Sequence, residues 1–170
     1  MRKIGTGIIG CGNISAIYFR NCRNFQNLEV VACADIVRER AEQVSAEHGV
    51  PRVCTVSEML ADPDIEIVIN LTIPGVHAEV CRQAVAAGKH VYTEKPLAVT
   101  RRDGEAVMAA AREKGVRVGC APDTFLGAGG QTCRKLIDDN VIGDVVGATA
   151  FMMCHGHESW HPDPEFYYKK

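Results

Sequence analysis

Three times in this chain a helical stretch ends on glycine and an extended stretch begins at once: His48-Gly49-Val50, Ala87-Gly88-Lys89 and Lys114-Gly115-Val116. Glycine accepts the left-handed backbone that stops a helix, so the chain can turn straight back. The intervals between these stops alternate in kind. Ile4–Ile9 and Leu28–Ala34 are short apolar runs of strand length, and the stretches 13–24 and 37–48 carry helical spacing. In the first helix Ile14, Ile17 and Tyr18 are expected on one face. A third strand is predicted to open at Val53, followed by a helical turn over 57–60. Further strands are expected over 65–71, His90–Thr93 and 116–120. Between them lie helices over 76–87 and 100–114, the latter with Thr100 and Asp103 as a capping pair. Repeated strand-helix-strand units require a parallel sheet with right-handed crossovers. Six such strands make a doubly wound α/β domain over residues 1–122.

The remainder follows another pattern. Residues 131–139 read as a helix, Ile142-Gly143 as a turn and 145–154 as one long strand. One helix and one strand cannot bury a core, and the strand would offer two unpaired edges. Residues 123–170 are therefore expected to start a truncated second α/β domain.

Bulk properties exclude several functions. With 170 residues, 46% of them hydrophobic, the chain can build one substantial core. Its net charge of -2 and pI near 6.3 come with no basic block, which argues against nucleic acid. No apolar run reaches membrane-spanning length. Met1-Arg2-Lys3, with the apolar stretch 4–10 and Cys11, faintly suggests a leader, but that stretch is too short and holds three glycines. The eight cysteines include no Cys-x-x-Cys pair, which favours reduced, buried thiols and a cytoplasmic location.

Gly10-Cys11-Gly12-Asn13-Ile14-Ser15 stands between the first strand and the first helix. In that context the first glycine makes a tight turn and the second lets backbone approach a pyrophosphate resting on the helix N-terminus. Ser15 takes the third position, where Gly or Ala is usual. Asp35 ends the second strand, 20 residues beyond Ser15, where a carboxylate can take both hydroxyls of an adenosine ribose. It would repel a 2′-phosphate and so favours NAD, although Arg38 and Arg40 leave NADP open. Asp35 can equally serve as a helix N-cap. Thr72 and Pro74, at the end of the 65–71 strand, can line the nicotinamide ribose, and His77 can touch a phosphate or be solvated.

Lys95, in Thr93-Glu94-Lys95-Pro96, sits at the carboxyl end of a strand and points at the crevice where a dinucleotide would lie. An ammonium there can hold a substrate hydroxyl or relay a proton. Pro96 ends the strand, and the Lys95-Pro96 bond can be cis. His155 and His157 would share one face of the 145–154 strand and its extension, but no partner has characteristic zinc spacing, so no metal site is expected. Trp160 and His161 suit sugar binding at least as well.

Together Gly10-x-Gly12, Asp35, Thr72-x-Pro74-x-x-His77 and Glu94-Lys95-Pro96 resemble the Gfo/Idh/MocA oxidoreductases. The stretches 121–127, Gln131-Thr132, Ile142-Gly143 and Trp160-His161-Pro162 extend the likeness along the chain. The resemblance implies a Rossmann-like fold and an NAD(P)-dependent dehydrogenase of sugars, inositols or related polyols. It implies that Lys95 contacts substrate and nicotinamide ribose and assists proton transfer. Gly10, Gly12, Asn13, Ile14, Asp35, Arg38, Thr72, Pro74, His77 and Glu94 would then form the cofactor site, and Asp123 would lie near substrate. The family's second domain carries oligomer contacts and supplies an Asp and a His beyond residue 170. By that standard the 170-residue chain alone is expected to be inactive, and a homo-oligomer is expected of the whole protein. The competing reading is a non-catalytic dinucleotide-binding or sensor module.

Overall fold

A computed structural model describes residues 2–159 and 164–168. Five parallel strands form one sheet: β1 (Ile4–Ile9), β2 (Leu28–Ala34), β3 (Ile67–Asn70), β4 (His90–Thr93) and β5 (Val118–Cys120). Their order is β2-β1-β3-β4-β5. The helices are α1 (Ser15–Cys22), α2 (Arg38–His48), α3 (Val56–Ala61), α4 (His77–Ala86), α5 (Arg101–Lys114) and α6 (Ala128–Asp138). The chain divides into two compact units, Met1–Asp123 and Thr124–Lys170. Among the described residues no helix is long and apolar enough to cross a membrane.

Gly49, Gly88 and Gly115 all have positive φ, so the three glycine stops close their helices as the sequence requires. The expected cap on α5 is present, with Thr100 Oγ1 accepting from the Asp103 amide (3.1 Å). A second cap lies at α3, where Thr55 and Glu58 form a reciprocal capping box.

The third strand, predicted at Val53, is reduced to a single bridge between Cys33 and Val53. Pro51 stands just before it and the α3 cap at Thr55 just after, so no room remains for a ladder. The bridge still marks the outer position beside β2. The winding order of the dinucleotide-binding fold is thus kept.

Alternation along the strands splits the core in two. Ile9, Ala32, Ala34, Val68 and Val91 face one way, toward Met59 of α3, Cys81 and Val85 of α4 and Val107 of α5. Ile8, Cys33 and Ile69 face the other way, toward Phe19 of α1 and Ala41 and Val44 of α2. The face expected for α1 is corrected here. Ser15, Phe19 and Cys22 are its buried residues, whereas Ile14 and Ile17 are 45% and 44% exposed. Ser15 must pack beside the glycine turn, and the spacing i, i+4, i+7 then carries Phe19 and Cys22 inward with it.

In the unit Thr124–Lys170, α6 confirms the helix expected near 131–139. The long strand expected over 145–154 does not form; those residues are irregular and exposed. A lone strand has no partner for its backbone donors and acceptors, and composition cannot supply one. The premise that placed His155 and His157 on one strand face therefore fails.

Candidate functional site

β1, β3 and β4 end in register: Ile9 pairs with Asn70, and Asn70 with Thr93. Three loops leave this common edge. They carry the Gly10 turn, the segment from Leu71 to His77, and Glu94-Lys95-Pro96. The first and last lie two strand spacings apart, about 10 Å. Sequence places them some eighty residues apart, and parallel pairing brings them together.

The Gly10 turn is built for close approach. Gly10 has φ +100°, and a Cβ there would stand 2.6 Å from the Leu71 carbonyl oxygen. Gly12 opens onto empty space, with no atom within 4 Å of where its Cβ would be. Ser15 is buried and its hydroxyl donates to the Gly12 carbonyl (2.7 Å), so serine at the third position closes the turn internally. The first turn of α1 carries no side-chain cap. Apart from the Ser15 amide, which donates to the Gly12 carbonyl (3.0 Å), the amides of that turn remain available to a diphosphate, and the residues present fit that group.

Asp35 faces the same turn. The Cys11 amide donates to its Oδ2 (2.7 Å) and the Val37 amide to its Oδ1 (2.8 Å). Each carboxylate oxygen keeps a further lone pair, so the group is oriented and still able to accept from ribose hydroxyls. The N-cap alternative is not realised: Val37, not Asp35, precedes α2, with no side-chain cap. Arg38 is exposed and pairs with Glu42 on its own helix (2.8 Å). Nearby, a hydrogen bond with Cys33 and then burial push the Cys11 thiol far above its ordinary range, so it stays neutral.

His77 requires correction. The expectations were a phosphate contact or solvation, yet the residue is 1% exposed. Its Nδ1 lies 2.7 Å from the Pro96 carbonyl oxygen and its Nε2 lies 2.8 Å from that of Thr72. The ring therefore ties two site loops together. Asn70, which sequence reasoning assigned no role of its own, belongs to the same network. Its Oδ1 accepts from the Thr72 hydroxyl (2.7 Å), and its Nδ2 donates to the His77 carbonyl (3.1 Å). An asparagine closing an apolar strand was the available signal, since a fully buried amide must find partners.

At the next loop the Lys95-Pro96 peptide is cis. The Glu94 amide donates to the Asn70 carbonyl (2.9 Å), and Glu94 Oε2 accepts from the Lys95 amide (3.0 Å). Tyr18, from α1, donates its hydroxyl to Glu94 Oε1 (2.6 Å). Lys95 itself is exposed at the sheet edge. Asn13 and Ile14 lie exposed beside Gly12, and Thr72 and Pro74 are half-buried. A cavity of about 830 Å³ is lined in part by Ile14, Ile17, Tyr18, Tyr92, Glu94 and Asp123. Trp160 and His161 lie outside the described residues.

The sequence profile described as "Oxidoreductase family, NAD-binding Rossmann fold" matches residues 4–121. The chain is 33% identical over 146 residues to the 1,5-anhydro-D-fructose reductase of Ensifer adhaerens, covering 85% of this chain and 44% of that protein. It is 32% identical over 147 residues to the inositol 2-dehydrogenase of Gluconacetobacter diazotrophicus, covering 84% and 44%. The crystal structure of an NAD binding oxidoreductase from Klebsiella pneumoniae matches with a TM-score of 0.73 at 28% identity, covering 83% of this chain and 40% of that one. The chain thus spans less than half the length of these relatives.

Proposed function

Because the chain belongs to the Gfo/Idh/MocA oxidoreductases and carries their NAD-binding Rossmann fold, we propose that it is the cofactor-binding portion of a dehydrogenase acting on a hydroxyl-bearing carbon of a sugar, inositol or related polyol. The observation that carries this reading is the shared edge of β1, β3 and β4, which sets Lys95 beside the crevice opened by the Gly10 turn. Relatives named for 1,5-anhydro-D-fructose and for inositol support the substrate class.

In this reading the α1 N-terminus and the backbone around Gly12 hold the diphosphate, and Asp35 accepts from the adenosine ribose. Arg38, Thr72, Pro74 and Glu94 flank the rest of the cofactor, with His77 acting through Thr72 and Pro96. The bound nicotinamide supplies the hydride acceptor or donor. Lys95 holds the substrate hydroxyl and passes its proton as the carbinol is oxidised or the carbonyl reduced. Residues 123–170 begin a domain for substrate binding and homo-oligomer contacts, with Asp123, Trp160 and His161 toward the substrate. The protein works in the cytoplasm.

Titration of the chain with NADH and NADPH, followed by nicotinamide fluorescence, is the direct test. Saturable binding with NADH preferred is expected. Absence of binding by either at millimolar concentration would refute the reading. In the whole polypeptide, Lys95→Ala is expected to abolish turnover and leave NADH affinity within about twofold, since the amine contributes to proton transfer rather than to diphosphate binding. Undiminished turnover in that variant would remove Lys95 from the mechanism.

A further inference from the structure

We propose that Tyr18 is a positioning residue that fixes the Glu94 carboxylate, tying the diphosphate-binding helix α1 to the Glu94-Lys95-Pro96 loop; this rests on the function proposed above. The 2.6 Å contact joins residues 76 apart in sequence. That length belongs to a hydroxyl donating to an ionised carboxylate, among the stronger hydrogen bonds in proteins. Glu94 is thereby held at three points: its amide on the Asn70 carbonyl, Oε2 on the Lys95 amide and Oε1 on the Tyr18 hydroxyl.

Tyr18 is itself constrained. Its ring tilts against that of Tyr92, with centroids 6.5 Å apart. Burial, the bond to Glu94 and the nearby Asp123 all raise its pKa, so the phenol keeps its proton and remains a donor throughout the neutral range. The geometry gives Tyr18 a role that its place in a helical pattern did not reveal. Ile14 and Ile17 stay exposed and line, with Tyr18 and Glu94, the same cavity. A dinucleotide seated on the α1 N-terminus would then find the far wall of its crevice already set by the same helix.

Two ligands separate this role from a merely structural one. ADP, which ends at the diphosphate, engages the Gly10 and Asp35 end alone, whereas NADH also reaches Glu94. Tyr18→Phe removes only the hydroxyl. It is expected to weaken NADH roughly tenfold and to change ADP affinity less than twofold. Glu94→Ala should weaken NADH as well, and the double variant should be no weaker than Glu94→Ala alone, because both changes break one contact. Equal losses for the two ligands, additive losses in the double variant, or unchanged NADH affinity in Tyr18→Phe would each overturn the proposal. Wild-type chain that binds ADP but not NADH would instead overturn the nicotinamide reading, and this inference with it.

Discussion

The imidazole of His77 spans two backbone carbonyls, with Nδ1 2.7 Å from Pro96 and Nε2 2.8 Å from Thr72. It is the buried link between the loops that follow β3 and β4. His77→Ala would remove the ring that lies between these two carbonyls and open a void beside Asn70. An unfolding free energy lower by about 2–4 kcal/mol is expected from urea denaturation, with weakened NADH binding. A loss below about 0.5 kcal/mol would show that water or a neighbour replaces the ring without cost.

Gly10→Ala tests the turn. Its φ of +100° is unfavourable for any residue with a Cβ, and the added methyl would meet the Leu71 carbonyl. The backbone conformation alone costs about 1–3 kcal/mol. The variant is expected to lose thermal stability and NADH binding together. Gly12→Ala, with open space at that position, should keep its stability while losing affinity.

Asp35→Ser addresses cofactor choice. The substitution removes the charge that would repel a 2′-phosphate and the acceptor that orients the Cys11 amide. NADH is expected to bind at least tenfold more weakly, and the ratio of NADPH to NADH affinity should rise. An unchanged ratio by fluorescence titration would locate cofactor selection elsewhere, with Arg38 or Arg40 as the next candidates.

Alkaline pH should expose the buried phenols. Burial is the leading cause that raises both Tyr18 and Tyr92, with Glu94 and Asp123 adding to it. The unfolded phenol loses its proton near pH 10, whereas the folded one keeps it. Above about pH 10 the native state therefore binds more protons than the unfolded state, and stability falls as pH rises. Below that pH the contribution is fully present. The urea midpoint is expected to drop between about pH 9 and pH 11, and to drop less in Tyr18→Phe.

Thiol titration should divide the cysteines by environment. Cys11, Cys22, Cys33, Cys54 and Cys81 are buried, Cys120 is half-buried, and Cys133 and Cys154 are exposed. Burial raises the pKa of Cys22, Cys54 and Cys81, further slowing their reaction. An aromatic disulfide reagent is expected to label Cys133 and Cys154 rapidly in native protein and all eight cysteines in guanidinium. Fast labelling of any of the five buried cysteines would show that the core opens readily.

The α/β order, the helix stops at Gly49, Gly88 and Gly115, the α5 cap and the Gly10 turn were legible in sequence because each depends on residues a few positions apart. Glycine at a helix end and a hydroxyl three residues before its amide partner act locally, so their signals survive in a linear text. Tertiary packing decided what no window of sequence contains. It left 145–154 irregular and turned Phe19 rather than Ile14 and Ile17 into the core. It also buried His77, which sequence placed at a phosphate or in solvent, and set Tyr18 on Glu94. These outcomes depend on which backbone groups and side chains meet across dozens of intervening residues, and only the folded sheet fixes those neighbours.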